Sequence, residues 1–255
     1  MRVVARRPRR PARGWPRLLL ALAVGLLAAC APGVPPEEAA LEAPAGPPAG
    51  FPAADYRRAA AAGQRVLRID PGQSRIVVEV RRDGPLARLG HDHVIAAHDL
   101  AGFVDLDTGR ADFYFAPARL VVDDAATRAE AGFAEPPDER AIAGTRRNML
   151  TRVLDASRFP FVTVAVRRDA SDSPDAPNAP NATSVRAAIT LQGATREFVV
   201  PVTSETLADG IAVAGRLDFR QSDFGVVPLT ALNGALSVAD RLDLRFRIVA
   251  RRPGA

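Results

Sequence analysis

From residue 66 to residue 248 the chain alternates apolar and polar positions over long stretches. Arg75-Ile76-Val77-Val78-Glu79-Val80-Arg81 sets Ile76, Val78 and Val80 on one face of an extended segment. Val162, Val164 and Val166 repeat the pattern, as do Val185, Ala187, Ile189 and Leu191. Phe198, Val200 and Val202 follow, then Ile211, Val213, Leu217 and Phe219, and last Leu242, Leu244, Phe246 and Ile248. Successive side chains of a strand point to opposite faces, so this period of two marks antiparallel strands buried on one side. Asp83-Gly84-Pro85, Asp107-Thr108-Gly109 and Ala208-Asp209-Gly210 supply turns between them. The pattern predicts about eight to ten strands. Residues 138–154 depart from it: Ile142, Met149, Leu150, Val153 and Leu154 form a helical stripe, which Phe159-Pro160 ends. Gly144 and Thr145 weaken its first half. A short helix is expected over 54–63. Residues 169–183, with three Pro, three Asp and two Asn and no period, are expected to be a flexible hairpin loop.

The fold class that follows is all-β. Many sequential strands with polar outer faces and one helix suit a closed antiparallel barrel of about eight strands capped by that helix, because closure removes exposed edges. A β-sandwich fits the same periodicity. The inward set would be Ile76, Val78, Val80, Phe113, Phe115, Val162, Val164, Ile189, Leu191, Phe198, Val200, Phe219, Leu244 and Phe246. A barrel of this size is either filled by its own side chains or holds one slender ligand. Alternation alone favours the filled core.

Charge becomes informative once the chain is divided. The formal net charge is +5, yet the first 29 residues hold seven Arg and no acid. The remainder carries 27 basic and 29 acidic side chains, a balance of −2. The basic excess belongs to the leader, and no nucleic-acid surface is expected. Residues 18–29 are an unbroken apolar run of 12, too short to span a bilayer and suited to a signal-peptide core. It ends in Leu27-Ala28-Ala29-Cys30, which resembles the lipobox of bacterial lipoproteins. That resemblance implies cleavage after residue 29 and acylation of Cys30, the chain's one Cys. Ala31 after it, rather than Asp, points by the same resemblance to the outer membrane, on the periplasmic side. A soluble secreted protein with a free Cys30 is the alternative. Residues 31–52 hold seven Pro and almost no large apolar side chain, too little to fold, so 30–64 is expected to be a disordered tether. The folded domain is expected over 65–252.

All three His fall within 91–98. On a strand His91 and His93 share a face, while His98, five residues past His93, lies on the other. A three-His zinc site would therefore need a break near Ala96-Ala97. A metal-binding module or metal-dependent enzyme built on His91, His93 and His98 is one reading. The blander one makes His91 and His93 hydrogen-bonding groups at a barrel mouth, touching a polar head group together with Arg146. Asp123-Asp124 reads as a solvated acidic turn. Arg146, Arg147 and Arg152 read as a solvated helix face. No phosphate loop, nucleophile elbow or haem-attachment motif occurs, and no catalytic constellation is found.

Several segments, in order, resemble YceI-like proteins. They are Leu67-Arg68-Ile69-Asp70-Pro71 with Ser74-Arg75-Ile76, Gly90-His91-Asp92-His93, and Leu100-Ala101-Gly102-Phe103-Val104-Asp105-Leu106. Asn148-Met149-Leu150, Leu154-Asp155-Ala156-Ser157-Arg158-Phe159-Pro160 and Thr190-Leu191-Gln192-Gly193-Ala194-Thr195-Arg196 continue the series, with Ala194 where the family usually has Val. The resemblance implies a lipocalin-like barrel with a long apolar tunnel. It also implies an exported protein that binds a polyisoprenoid or fatty-acyl chain, with no other cofactor and no enzymatic activity. A structural envelope protein with a filled barrel is the remaining alternative.

Overall fold

A computed structural model describes residues 42–133, 136–168 and 182–253. The leader, Cys30 and most of the 169–183 loop lie outside the described residues.

The alternation becomes fourteen strands among the described residues: β1 Val66–Ile69, β2 Arg75–Val80, β3 Arg82–Asp83, β4 His93–Ala97, β5 Ala101–Asp105, β6 Arg110–Phe115, β7 Val121–Val122, β8 Val162–Arg168, β9 Ala182–Leu191, β10 Ala194–Leu207, β11 Gly210–Arg220, β12 Thr230–Ala231, β13 Leu236–Val238 and β14 Arg241–Arg251. Eight of them close a ring in the order β1-β5-β6-β8-β9-β10-β11-β14, shut by β14 on β1. Every pairing is antiparallel, and β11 pairs β14 along its whole length. The closing register sets Arg68 opposite Arg251 and Ile69 opposite Ala250. Further along, β14 pairs β2, with Leu244 opposite Val78 and Phe246 opposite Ile76. One wall position is thus shared by β1 and β2, interrupted by a turn. The buried Ser74 Oγ secures that turn, accepting from the Val249 N–H at 2.9 Å and donating to the Val249 carbonyl at 3.2 Å. The strands β2, β4 and β7 continue as a flap beyond the ring, and β12, β13 and β3 form a small second sheet.

The predicted residues face inward as the period of two requires. Ile69, Ile76, Phe113, Val164, Ala187, Val200 and Val202 are buried in one cluster, with Val78, Ile189, Leu244 and Phe246 packed against it. Gly215, opposite Phe246 in the register, makes room for the ring: a Cβ there would meet Phe246 Cζ at 2.7 Å.

Among the described residues three α-helices lie on the outside or at one end: α1 Ala53–Ala61, α2 Ala125–Glu130 and α3 Glu139–Asn148. The Asp138 carboxylate caps α3 by accepting from the Ala141 N–H at 2.8 Å. Glu139 in the first turn and Arg146 and Arg147 in the last suit the helix dipole. The helix runs on as a π-turn over Met149–Val153, closed by Leu154 N–H on the Met149 carbonyl at 2.8 Å. Met149 and Leu150 are buried against Val122 and Ala156, with Ile95 and Leu154 beside them, so the apolar stripe of 138–154 faces the flap. Among the described residues no helix is long and apolar enough to cross a membrane.

One boundary differs from the sequence expectation. The ordered body starts before residue 65, because α1 docks on the barrel. Tyr56 is 3% exposed, its ring 5.3 Å from Phe103, and its hydroxyl donates to Asp112 at 2.6 Å. Phe51 packs on Tyr114 at 4.8 Å between ring centres. Phe51 stands at the end of the Pro-rich stretch 31–52, whose composition reads as unable to fold, and Tyr56 anchors the short helix expected over 54–63.

Candidate functional site

The ring encloses a cavity of about 470 Å³. This lies within the usual range of about 300–1,000 Å³ for small-molecule sites. Its wall is overwhelmingly aliphatic and aromatic, drawn from the ring strands and from β4, the π-turn and the 221–229 segment. Of the fourteen residues expected to face inward, thirteen line it. Phe198 does not. Its ring packs instead with Phe219 at 6.3 Å and Phe224 at 6.1 Å.

The polar groups on the wall gather at its two ends. At the end formed by the β5–β6 turn are Asp105, Arg110, Arg168, Thr183 and Ser204. Asp105 serves the turn itself, accepting from the Asp107 N–H at 3.0 Å and from Thr108 Oγ1 at 2.7 Å. Arg110 donates through Nε to Asp112 at 2.6 Å. At the opposite end, beneath α3, the wall includes His93, Thr145 and Asn148, which are uncharged or held by a buried acid.

That buried acid is Asp123. Far from a solvated turn residue, it is 3% exposed. His93 Nδ1 donates to its Oδ2 at 2.6 Å, while its Oδ1 accepts from the Val94 N–H at 2.9 Å and from Arg128 Nη1 at 2.6 Å. Burial pushes the Asp123 carboxyl up, but the bonds from His93, Val94 and Arg128 outweigh it and hold the group below its ordinary value. The backbone at Asp123 is left-handed (φ 56°), a conformation that Asp tolerates better than most residues and that this network fixes. Arg128, itself 5% exposed, also donates to the Asp92 carbonyl at 2.8 Å. Asp124 takes a different role as the N-cap of α2, accepting from Thr127 Oγ1 at 2.7 Å and the Thr127 N–H at 2.9 Å. Those bonds lower its pKa.

The three histidines do not converge. β4 begins at His93 and ends at Ala97, which leaves His91 exposed ahead of the strand and His98 exposed beyond it. The His91 and His93 ring centres are 6.3 Å apart, and the His93 ring is already engaged by Asp123. Among the described residues no group of three His, Cys, Asp or Glu side chains could hold a metal ion. Arg146 also departs from its expected place. Its guanidinium donates to the Ala118 carbonyl at 2.6 Å and does not line the cavity, whereas Thr145 and Asn148, its neighbours on α3, do. The sequence signal for those two was their spacing: three residues apart on the helix, they share a face, and Thr145 lies one turn before Met149.

The profile of the YceI-like domain matches residues 68–250. Among curated proteins none matches the chain significantly. The polyisoprenoid binding domain from Saccharophagus degradans, implicated in plant cell wall breakdown, is similar in structure. Its TM-score is 0.52 and its sequence identity 14%, over 74% of this chain and 99% of that one. Burkholderia cenocepacia BcnA aligns with a TM-score of 0.49 and 16% identity, over 71% of this chain and 98% of its own. The YCEI protein of Campylobacter jejuni aligns with a TM-score of 0.42 and 15% identity, over 60% and 81%. With the profile spanning every strand of the closed ring, the chain belongs to the YceI-like domain family.

Proposed function

We propose that this protein binds and sequesters a long-chain apolar ligand, of isoprenoid or fatty-acyl type, in its barrel, as a binding protein rather than an enzyme. The observation that carries the reading is the cavity of about 470 Å³ with an almost wholly apolar wall. A barrel filled by its own side chains would leave no such space. Membership of the YceI-like family and the polyisoprenoid binding of the Saccharophagus degradans domain support the same reading. A chain that buries roughly 400 Å² of apolar surface gains about 10 kcal/mol gross at about 25 cal/mol per Å². Association costs of about 4–15 kcal/mol offset much of that gain. A preformed cavity keeps the cost low. The Leu27-Ala28-Ala29-Cys30 sequence supports anchoring through acylated Cys30, which would hold the protein at the periplasmic face of the outer membrane.

The test uses the chain from residue 30 onward carrying Cys30→Ser, which cannot be acylated and needs no detergent. Native mass spectrometry and organic extraction should reveal a bound long-chain species, and a fluorescent fatty acid or isoprenoid should be taken up. A chain that carries no amphiphile and takes up neither probe would overturn the proposal.

A further inference from the structure

The cavity has one end whose polar groups carry no free charge, and this asymmetry specifies the head of the ligand. Thr145 and Asn148 stand three residues apart on α3 and both reach the cavity wall, facing His93 on β4. Thr145 Oγ1 lies 3.3 Å from His93 Nε2. The other ring nitrogen, Nδ1, donates to the Asp123 carboxylate, which leaves Nε2 facing Thr145 at the cavity wall. Asn148 adds an amide with two donors and an acceptor. Around these three the wall is apolar: Val80, Ile95, Met149, Val153 and Leu154.

Three charged groups close to His93 are engaged elsewhere. Asp123 is shared by His93, Val94 and Arg128, and Arg128 is buried against it. Arg146 faces the Ala118 carbonyl. Among the described residues no arginine at this end lines the wall; the two that do, Arg110 and Arg168, sit at the far end. Moving an anion into an apolar chamber without a cation is strongly unfavourable. A hydroxyl or a primary amide meets matching donors and acceptors there.

We propose that His93, Thr145 and Asn148 form a head-group site for a neutral, hydrogen-bonding amphiphile, a long-chain alcohol, phenol or amide, and that it discriminates against carboxylates and phosphates. The site rests on the ligand-binding reading above and adds the class and orientation of the ligand. Its head lies beneath α3 and its tail runs toward the β5–β6 turn.

The experiment measures displacement of N-phenyl-1-naphthylamine from the Cys30→Ser chain at pH 7.5 by 1-dodecanol, dodecanoate and dodecane. Dodecanol should bind about tenfold more tightly than either of the others, the worth of one or two neutral hydrogen bonds. Thr145→Val and Asn148→Leu, separately and together, should lower dodecanol affinity by about tenfold while leaving dodecane unchanged. Both replacements are near-isosteric and leave the Asp123 network intact, and an unchanged melting temperature confirms that the variants fold. Dodecanoate binding as tightly as dodecanol overturns the neutral-head assignment. So does an alcohol preference that survives the double variant. Alcohol and hydrocarbon binding equally would sink the head-group site and leave the tunnel reading standing. If no probe binds, both fall.

Discussion

Two buried carboxylates pin appended helices to this barrel, and they do it with opposite chemistry. Asp112, on the outer side of β6, accepts from the Tyr56 hydroxyl of α1 at 2.6 Å and from Arg110 Nε at 2.6 Å. Asp123, just past β7, accepts from Arg128 of α2 and from His93. Burial raises the Tyr56 phenol, and the neighbouring Asp112 raises it further. Asp123 is held low by its donors despite its burial. One pin depends on a proton staying on a neutral donor; the other depends on a proton staying off an acid. The Asp112 group also keeps a way to water, since the Arg110 side chain is 30% exposed. The Arg128 and Asp123 side chains are 6% and 0% exposed, so nothing but protein can satisfy them.

That contrast ranks the expected effects. Asp123→Ala should cost most, about 3–5 kcal/mol in urea unfolding, because it removes the buried acceptor that His93, Val94 and Arg128 share. A loss under 1 kcal/mol would mean that water reaches the pair and that the two pins are alike. Tyr56→Phe should cost about 1.5–3 kcal/mol, the worth of one hydrogen bond to a charged group, and should leave probe uptake by the cavity unchanged. A drop in uptake would tie α1 to the ligand site.

Smaller effects separate the two by pH. Asp123 titrates lower in the folded chain than in the unfolded one. Its contribution is therefore complete above about pH 4 and is lost as the pH falls through the folded value. Tyr56 titrates higher when folded, so its contribution is complete below about pH 10 and is lost as the pH rises further. Stability measured against pH should lose part of its acid limb in Asp123→Asn and part of its alkaline limb in Tyr56→Phe. Each variant should keep the other limb; crossed effects would contradict the assignment. Asp138→Ala, which uncaps α3, should lower stability by about 1 kcal/mol and is read by thermal unfolding.

The barrel wall was legible because burial on one face imposes a period of two that any sequence must obey. Ile76, Val78 and Val80 announce their face without reference to the rest of the chain. The stripe ending in Met149, Val153 and Leu154 likewise placed a helix against the interior. Phe198 shows the limit of that reading: periodicity assigns the side of the sheet, but which ring meets empty space depends on Phe224, brought in by a distant short turn. Asp123 was not legible. Its partners lie 30 residues back and five ahead, and an Asp-Asp pair after two valines looks like any exposed turn. Arg146 was misplaced for a similar reason, since only the path of the 116–120 segment decides that a carbonyl, and not the cavity, is within its reach.

The ring is shut by β14, which bonds to β11 along one edge and to both β1 and β2 along the other. Its residues, 241–251, are the last of the ring to leave the ribosome. Until they do, two rows of backbone donors and acceptors stand unmatched, and the first and final strands must find each other across more than 170 residues of separation. Such pairing is slow and exposes sticky margins while it waits. A chain built this way stays open through most of its synthesis, so whatever guards it against association with its neighbours must act before the last hairpin arrives.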